Sequence, residues 1–142
     1  FGLNFRLSSM NGAVGLAQME RLGAFLDHRA AVMERYRSGL GELLRFQDSP
    51  AAANRVSWGM ALVRAADEAQ RDGIRAALDD ASVQTRINWK PVHRQPYHSK
   101  TLGGNFPVAD EVFRTSFTLP LNNGMSLDDA DLVVDTVRAT FA

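Results

Sequence analysis

A long proline-free segment, whose apolar residues have helical spacing, constrains the fold of this chain more than any other sequence feature. No proline occurs from residue 8 to residue 46, and apolar side chains recur there every three or four positions. This spacing is that of one face of an α-helix. The residues on that face are Met19, Leu22, Leu26, Ala30, Met33, Tyr36, Leu40 and Leu43. The segment is therefore predicted to be helical almost throughout.

Glycines inside this segment predict that the helix is interrupted. Each of them costs about 1 kcal/mol relative to alanine in a helix interior. A break or bend near Leu22 and Gly23 is therefore expected, giving two helices. The small residues between positions 12 and 17 are explained either by ordinary helix packing or by the close approach of another backbone.

The remainder of the chain alternates between strand and helix patterns. Period-2 alternation over 56–62 and 83–89, and a short apolar stretch at 117–119, predict three strands. Helices are predicted over 67–80, over 108–114 and after Ser126, which can form a capping box with Asp129. The last helix is expected to bury Ala130, Val133, Val134, Val137 and Phe141. The predicted fold class is α/β, in its α+β form, with long N-terminal helices followed by a small three-stranded sheet covered by helices.

Charge and cysteine content exclude several classes of function. The 142 residues carry sixteen Lys+Arg and sixteen Asp+Glu, so the formal net charge is zero. A neutral chain lacks the general attraction to nucleic acids or anionic membranes, and neither is expected as a partner. The chain has no cysteine, which excludes disulfides, thiolate metal sites and cysteine nucleophiles and favours a cytoplasmic protein.

Lysine is scarce, and the chain does not begin with methionine. Fourteen of the sixteen basic residues are arginine, so that Lys90 and Lys100 are the two candidates for lysine chemistry. The first residue is Phe1. The sequence is therefore interpreted as a fragment, a processed product or the ordered part of something longer.

Two local clusters carry more polar recognition groups than packing requires. In an extended segment before the first helix, Asn4 and Arg6 would project to the same side, where an amide and a guanidinium can bind phosphate or carboxylate. The second cluster, residues 86–97, leaves a predicted strand and combines hydrogen-bond donors, two aromatic rings and two prolines. For the first cluster, the alternative is a loop whose polar side chains only form hydrogen bonds with the backbone. For the second, the alternative is a loop at the rim of the fold whose charges are solvated.

Other kinds of site find little support in the sequence. His93 and His98 lie five residues apart without a carboxylate at a recognised ligand spacing, so a metal pair is a weak hypothesis and no metal is predicted. No glycine-rich phosphate loop and no strained serine elbow is recognised.

Motifs spread over nearly the whole chain resemble those of one known family. Residues 1–8 and 13–22 read FGLNFRLS and AVGLAQMERL. They resemble the G-x-N-[FY]-R-[ML]-[ST] … A-x-G-x-x-Q-[LM]-E-x-L segment of the DegT/StrS-type sugar aminotransferases, which use pyridoxal phosphate (PLP). Residues 85–97 resemble the family's [TS]-R … P-[LM]-H-x-Q-P stretch, and residues 106–110 with 119–121 resemble its F-P-x-A-[ED] … L-P-L ending.

The resemblance implies that the chain is the C-terminal portion of an aminotransferase with the type I fold. Residues 1–46 would be the helical segment linking the large and small domains, and residues 47–142 the C-terminal small domain. PLP would be bound mainly by the missing N-terminal domain, in a homodimer with shared active sites. There Asn4 would reach the cofactor phosphate across the interface, while Arg6 and His93 would bind substrate.

The resemblance also implies a reaction, the transfer of an amino group from glutamate to a nucleotide-linked keto-sugar. The family's Schiff-base lysine lies upstream in a Ser-x-x-Lys motif, a context that neither Lys90 nor Lys100 has. The chain alone is therefore expected to contain no catalytic residue and to be inactive. The alternative is a non-catalytic regulatory or protein-interaction module with the same fold.

Overall fold

The computed structural model describes residues 3, 5–48, 56–101 and 103–142. In these ranges the helices are α1 (Ser9–Leu40), α2 (Glu68–Asp80), α3 (Pro107–Thr115) and α4 (Leu127–Ala139). The strands are β1 (Arg45–Phe46), β2 (Ala61–Arg64) and β3 (Ser116–Leu119). Two short 3₁₀ turns, Val92–Arg94 and His98–Lys100, lie in the loop between α2 and α3.

The three strands form one antiparallel sheet in the order β1-β2-β3. Val63 of β2 lies opposite Phe46 on one side and Phe117 on the other, and Ala61 lies opposite Leu119. These alternate residues of β2 and β3 are almost fully buried, because the helices cover that face of the sheet. The sheet and its covering helices confirm the predicted fold class.

The core joins the C-terminal part of α1 to the sheet and to α4. Tyr36 of α1 is fully buried, and its hydroxyl donates a hydrogen bond to the Pro120 carbonyl at 2.8 Å. Burial, and secondarily the charge of Asp129, raises the pKa of Tyr36 well above its ordinary value, so the phenol remains a donor. The same core includes Val32, Leu40, Ile74, Leu78, Val133 and Val137.

α1 is a single continuous helix, so the prediction of two helices broken near Leu22 and Gly23 is wrong. It begins at Ser8, whose side chain accepts a hydrogen bond from the Asn11 amide at 3.2 Å. Glycine weakens a helix but keeps both backbone hydrogen-bonding groups, whereas proline removes a donor and clashes with the preceding turn. Without a proline, the hydrogen-bond ladder of α1 runs for 32 residues.

The first two thirds of α1 are exposed, although they are rich in apolar residues. The buried residues of α1 begin only at Val32. Ser9 precedes Val32 by 23 residues, which at 1.5 Å per residue corresponds to about 35 Å of helix. Exposed apolar side chains along this length include Met10, Val14, Leu16, Met19 and Leu22, with Met10 82% exposed.

Two strand predictions are wrong: one strand lies further along the chain than predicted, and the other segment forms only a single bridge. The strand predicted over 56–62 is found at Ala61–Arg64, with Ala61 and Val63 on the buried side instead of Met60 and Leu62. A period-2 pattern fixes the spacing of a strand but not its phase when small residues lie on the buried face. The segment predicted as a strand over 83–89 makes only one bridge to β3 within the described chain, between Arg86 and Thr118. β1 was predicted as the end of the long helix.

The other elements confirm their predictions. α2 begins at Asp67, whose carboxylate accepts the Gln70 amide at 2.8 Å, and α3 and β3 occupy their expected positions. α4 has the predicted capping box, in which Ser126 and Asp129 bond each other's backbone amides at 3.0 and 2.6 Å. No helix in the described part of the chain is long and apolar enough to cross a membrane.

Candidate functional site

The predicted N-terminal site consists of Asn4 and Arg6, which precede α1 in the sequence. Asn4 is outside the residues that the structure describes. Arg6 is exposed in the irregular segment just before the Ser8 cap. His93, by contrast, lies in the loop between α2 and α3, so the two proposed substrate-binding residues belong to separate parts of the fold.

A proline-initiated turn holds His93. Pro91 has a φ of −54°, and its carbonyl accepts the Arg94 amide at 2.9 Å, which closes a 3₁₀ turn over Val92–Arg94. The Gln95 side chain donates to the Lys90 carbonyl at 3.0 Å and ties the two ends of the turn together. Because its neighbours hold the backbone on both sides, the imidazole is presented from a restrained loop.

Asp110 in the first turn of α3 binds the His93 ring. Its Oδ1 lies 2.8 Å from His93 Nε2 and 2.6 Å from Arg94 Nε. The His93 and Asp110 side chains are 16% and 24% exposed, whereas Arg94 is more accessible. A partly buried carboxylate therefore receives two donors from the turn that carries His93.

These contacts keep Asp110 ionised. Partial desolvation would raise the pKa of Asp110, but the hydrogen bonds and charges of His93 and Arg94 outweigh it and hold that pKa below its ordinary value. An ionised carboxylate only accepts hydrogen bonds, so His93 Nε2 must carry the proton that lies between the two groups. The second ring nitrogen, Nδ1, is then the one left for another partner.

Phe106 packs against the face of the His93 ring. Its ring stacks on the His93 imidazole, with centroids 4.8 Å apart and planes 30° apart. Gly104 lies two residues before Phe106 and has a φ of +134°, and a Cβ at that position would stand 3.3 Å from two atoms of the Phe106 ring. The turn at Gly104 therefore needs glycine for its backbone conformation and for the position of Phe106.

An apolar groove is lined in part by Phe106, the residue that stacks on His93. It has a volume of about 610 Å³, and Phe106 lines it together with Trp89, Pro91, Val108 and Phe113. Trp89, which lines this groove, is 73% exposed. Neither His93 nor Asp110 lines the groove, so Phe106 is the residue that connects it to the pair.

The described residues hold no group of three or more His, Cys, Asp or Glu side chains that could bind a metal, and the His98 ring makes an edge contact with Tyr97. Both Lys90 and Lys100 are exposed, and neither lines the apolar groove.

Sequence reasoning did not single out Asp110 and Phe106 as contacts of His93. Both lie in the F-P-x-A-[ED] ending, which was recognised as a motif without a function for its residues. The distance of 17 residues between His93 and Asp110 gives no local signal of contact. The acidic residue in the first turn after Pro107 is the available signal, since it marks the start of α3.

The long helix followed by a small antiparallel α+β unit defines a fold found in aminotransferases. The crystal structure of a DegT DnrJ EryC1 StrS aminotransferase from Brucella abortus superposes with a TM-score of 0.85 and 26% identity, covering 98% of this chain and 37% of that one. The sequence profile of the DegT/DnrJ/EryC1/StrS aminotransferase family matches residues 1–138, and the chain belongs to this family.

Two further relatives match nearly all of this chain but little more than a third of their own length. The GDP-perosamine synthase of Caulobacter vibrioides is 28% identical over 138 residues, which are 94% of this chain and 37% of that protein. The crystal structure of S. venezuelae DesV, determined in complex with a ketimine intermediate, is 28% identical with a TM-score of 0.79 and covers 94% of this chain and 36% of DesV. The chain spans about 37% of the length of the curated relatives that it matches.

Proposed function

We propose that this chain is the C-terminal part of a PLP-dependent aminotransferase that transfers an amino group from glutamate to a nucleotide-linked keto-sugar. The observation that carries the proposal is the family match over residues 1–138. The coverage of about 37% of the relatives supports the view that other residues supply the Schiff-base lysine. PLP, when bound, supplies the electron sink for amino transfer.

The surface of α1 supports the proposal that further protein covers this chain. Between positions 9 and 26 the charged residues are Glu20 and Arg21. At 100° per residue, the exposed side chains of Met10, Leu16 and Met19 point in widely different directions around the helix axis. A helix that is apolar all round is buried in its functional setting. A homodimer with shared active sites, in which α1 lies between subunits and the large domain, accounts for this surface.

Three residues have distinct roles within this proposal. Asn4 binds the cofactor phosphate of the partner subunit through its amide, and Arg6 binds an anionic group of the sugar nucleotide or the donor carboxylate. His93 contacts the substrate from the restrained turn before α3. Residues 1–46 are the linking helical segment and residues 47–142 the small domain. A cytoplasmic location is part of the proposal, supported by the absence of cysteine.

The isolated chain provides the first test. Incubation with PLP, reduction with borohydride and mass spectrometry should detect no stoichiometric adduct, because neither lysine is shielded. Glutamate and a nucleotide-linked keto-sugar should give no turnover. A stoichiometric adduct on Lys90 or Lys100 would show that the reactive amine is in this chain and would contradict the proposal.

A graft tests the activity itself. The matched 37% of C. vibrioides GDP-perosamine synthase is replaced by these 142 residues, and glutamate-dependent formation of GDP-perosamine is measured. Product is expected, and Arg6→Ala or His93→Ala should lower kcat/KM about tenfold or more, since each removes a polar substrate contact. Lys100→Ala is the matched control and should leave kcat/KM unchanged. A folded graft that binds PLP but forms no product would favour the interaction module.

A further inference from the structure

We propose that Asp110 is a positioning residue that acts through His93, holding the Nε2–H of the imidazole so that Nδ1 is the atom that contacts the substrate. The inference rests on the proposed function, because that function places His93 at the substrate. It goes further by naming the atom of His93 that contacts the substrate and the residue that orients it.

The first support is the geometry of the pair. His93 Nε2 and Asp110 Oδ1 lie 2.8 Å apart, and both side chains are largely shielded from water. A hydrogen bond to an ionised acceptor is stronger than a neutral one, and it requires the proton on Nε2. A carboxylate that fixes the tautomer and the ring orientation of a histidine is a recurring arrangement in sites where that ring must act.

The second support is the position of Asp110 on its helix. It lies in the first turn of α3, and its own amide donates to the Phe106 carbonyl at 3.0 Å. The N-terminal end of a helix carries a partial positive charge, which stabilises a carboxylate there. Arg94 donates to the same oxygen at 2.6 Å. Asp110 therefore stays charged through its own surroundings.

The third support is that the ring is held in two independent ways. The hydrogen bond to Asp110 fixes the rotation of the imidazole about its own bond, and the stack on Phe106 fixes the tilt of its plane. A solvated rim histidine would need neither contact. Fixing both degrees of freedom reduces the entropy lost when a substrate group bonds to the ring.

Nuclear magnetic resonance of the 142-residue chain tests the positioning without any enzyme activity. In ¹⁵N-labelled protein at about pH 8.5, two units above the ordinary imidazole pKa of about 6.5, long-range ¹H–¹⁵N spectra report the tautomer of each histidine. The chain has three histidines, so His93→Gln assigns the relevant signal. His93 is expected as the Nε2–H tautomer. In Asp110→Asn it should shift toward Nδ1–H, because an amide can donate to Nε2.

Two matched variants separate positioning from general structural damage. Asp110→Glu restores a carboxylate and should return His93 to the Nε2–H form. Arg94→Gln removes the other donor to Asp110 and should leave the tautomer unchanged. Thermal melting checks that each variant is folded. A wild-type His93 in the Nδ1–H form, or an unchanged tautomer in folded Asp110→Asn, would overturn the proposal.

The graft described above then distinguishes this inference from the proposed function. Asp110→Asn should lower kcat/KM by about tenfold, the low end for loss of an orienting partner, and Asp110→Glu should recover much of it. If the unsubstituted graft binds PLP but is inactive, the proposed function fails while the tautomer measurement still decides the positioning. If the graft is active and Asp110→Asn changes the tautomer but not kcat/KM, the substrate contact through Nδ1 is refuted.

Discussion

Replacing Gly39 by alanine should destabilise the chain, because α1 passes very close to α4 at this position. Among the glycines whose surroundings are described, Gly39 is the one at which an added Cβ would come nearest to another side chain. A Cβ at position 39 would stand 2.5 Å from Cγ1 and 3.1 Å from Cγ2 of Val134. Val134 is largely buried and β-branched, so it has one strongly preferred rotamer in a helix and cannot turn away without cost. The helices must separate, or Val134 must leave its rotamer.

The expected magnitude follows from two opposing effects. Gly→Ala gains up to about 1 kcal/mol of helix stability. Overpacking in a closely packed contact typically costs 1–3 kcal/mol. The net prediction for Gly39→Ala is a loss of up to about 2 kcal/mol in the free energy of unfolding, measured by urea denaturation with an unchanged m-value.

The same substitution at Gly23 is the matched control. Gly23 lies in the same helix, and apart from the adjacent backbone of that helix no described heavy atom lies within 4 Å of its added Cβ. Gly23→Ala should therefore increase the free energy of unfolding by about 1 kcal/mol. In a double-mutant cycle, Val134→Ala should remove the penalty of Gly39→Ala, with a coupling energy of about 1–3 kcal/mol. Equal stabilisation by Gly39→Ala and Gly23→Ala would refute the close contact.

Substitutions at three further positions test a helix cap, a buried hydrogen bond and an ion pair. Ser126→Ala removes the capping side chain of α4 and should lower the free energy of unfolding by about 1 kcal/mol in urea denaturation, and Ser126→Asp should retain most of it. Tyr36→Phe leaves the Pro120 carbonyl without its donor and should cost about 1–3 kcal/mol by the same measurement. The folded-state pKa of Asp110 is lower than its ordinary value of 3.8, so its contribution to stability is present above about pH 4 and is lost as pH falls through the folded pKa. Asp110→Asn should therefore flatten the acid side of the stability–pH curve, and an unchanged acid slope would show that His93 and Arg94 do not stabilise the charge.

Local patterns predicted the helices well because their signals lie within a few residues. Ser126 and Asp129 form a capping box three residues apart, and Asp67 caps α2 through an amide three residues on. The strands were harder to predict, because their pairing is not a local property. Segment 83–89 has the alternation of a strand, yet within the described chain it joins the sheet only through Arg86 and Thr118.

The candidate site likewise combines a feature that local sequence predicted with contacts that depend on the fold. His93 was recognised from its place in the P-[LM]-H-x-Q-P motif, in which a proline lies on either side of it. Its partner Asp110 was not assigned a role, because α3 brings the two together across 17 residues of sequence. The stack with Phe106 depends in turn on the positive φ of Gly104, a conformation that the sequence permits but does not require.

The sequence by itself determined the family, the long helix and the caps of α2 and α4, because motifs and helix signals are written in neighbouring residues. Only the tertiary structure decided the phase of β2 and the meeting of His93 with Asp110. Those features depend on which surfaces pack together, and packing energy is shared among residues far apart in the chain.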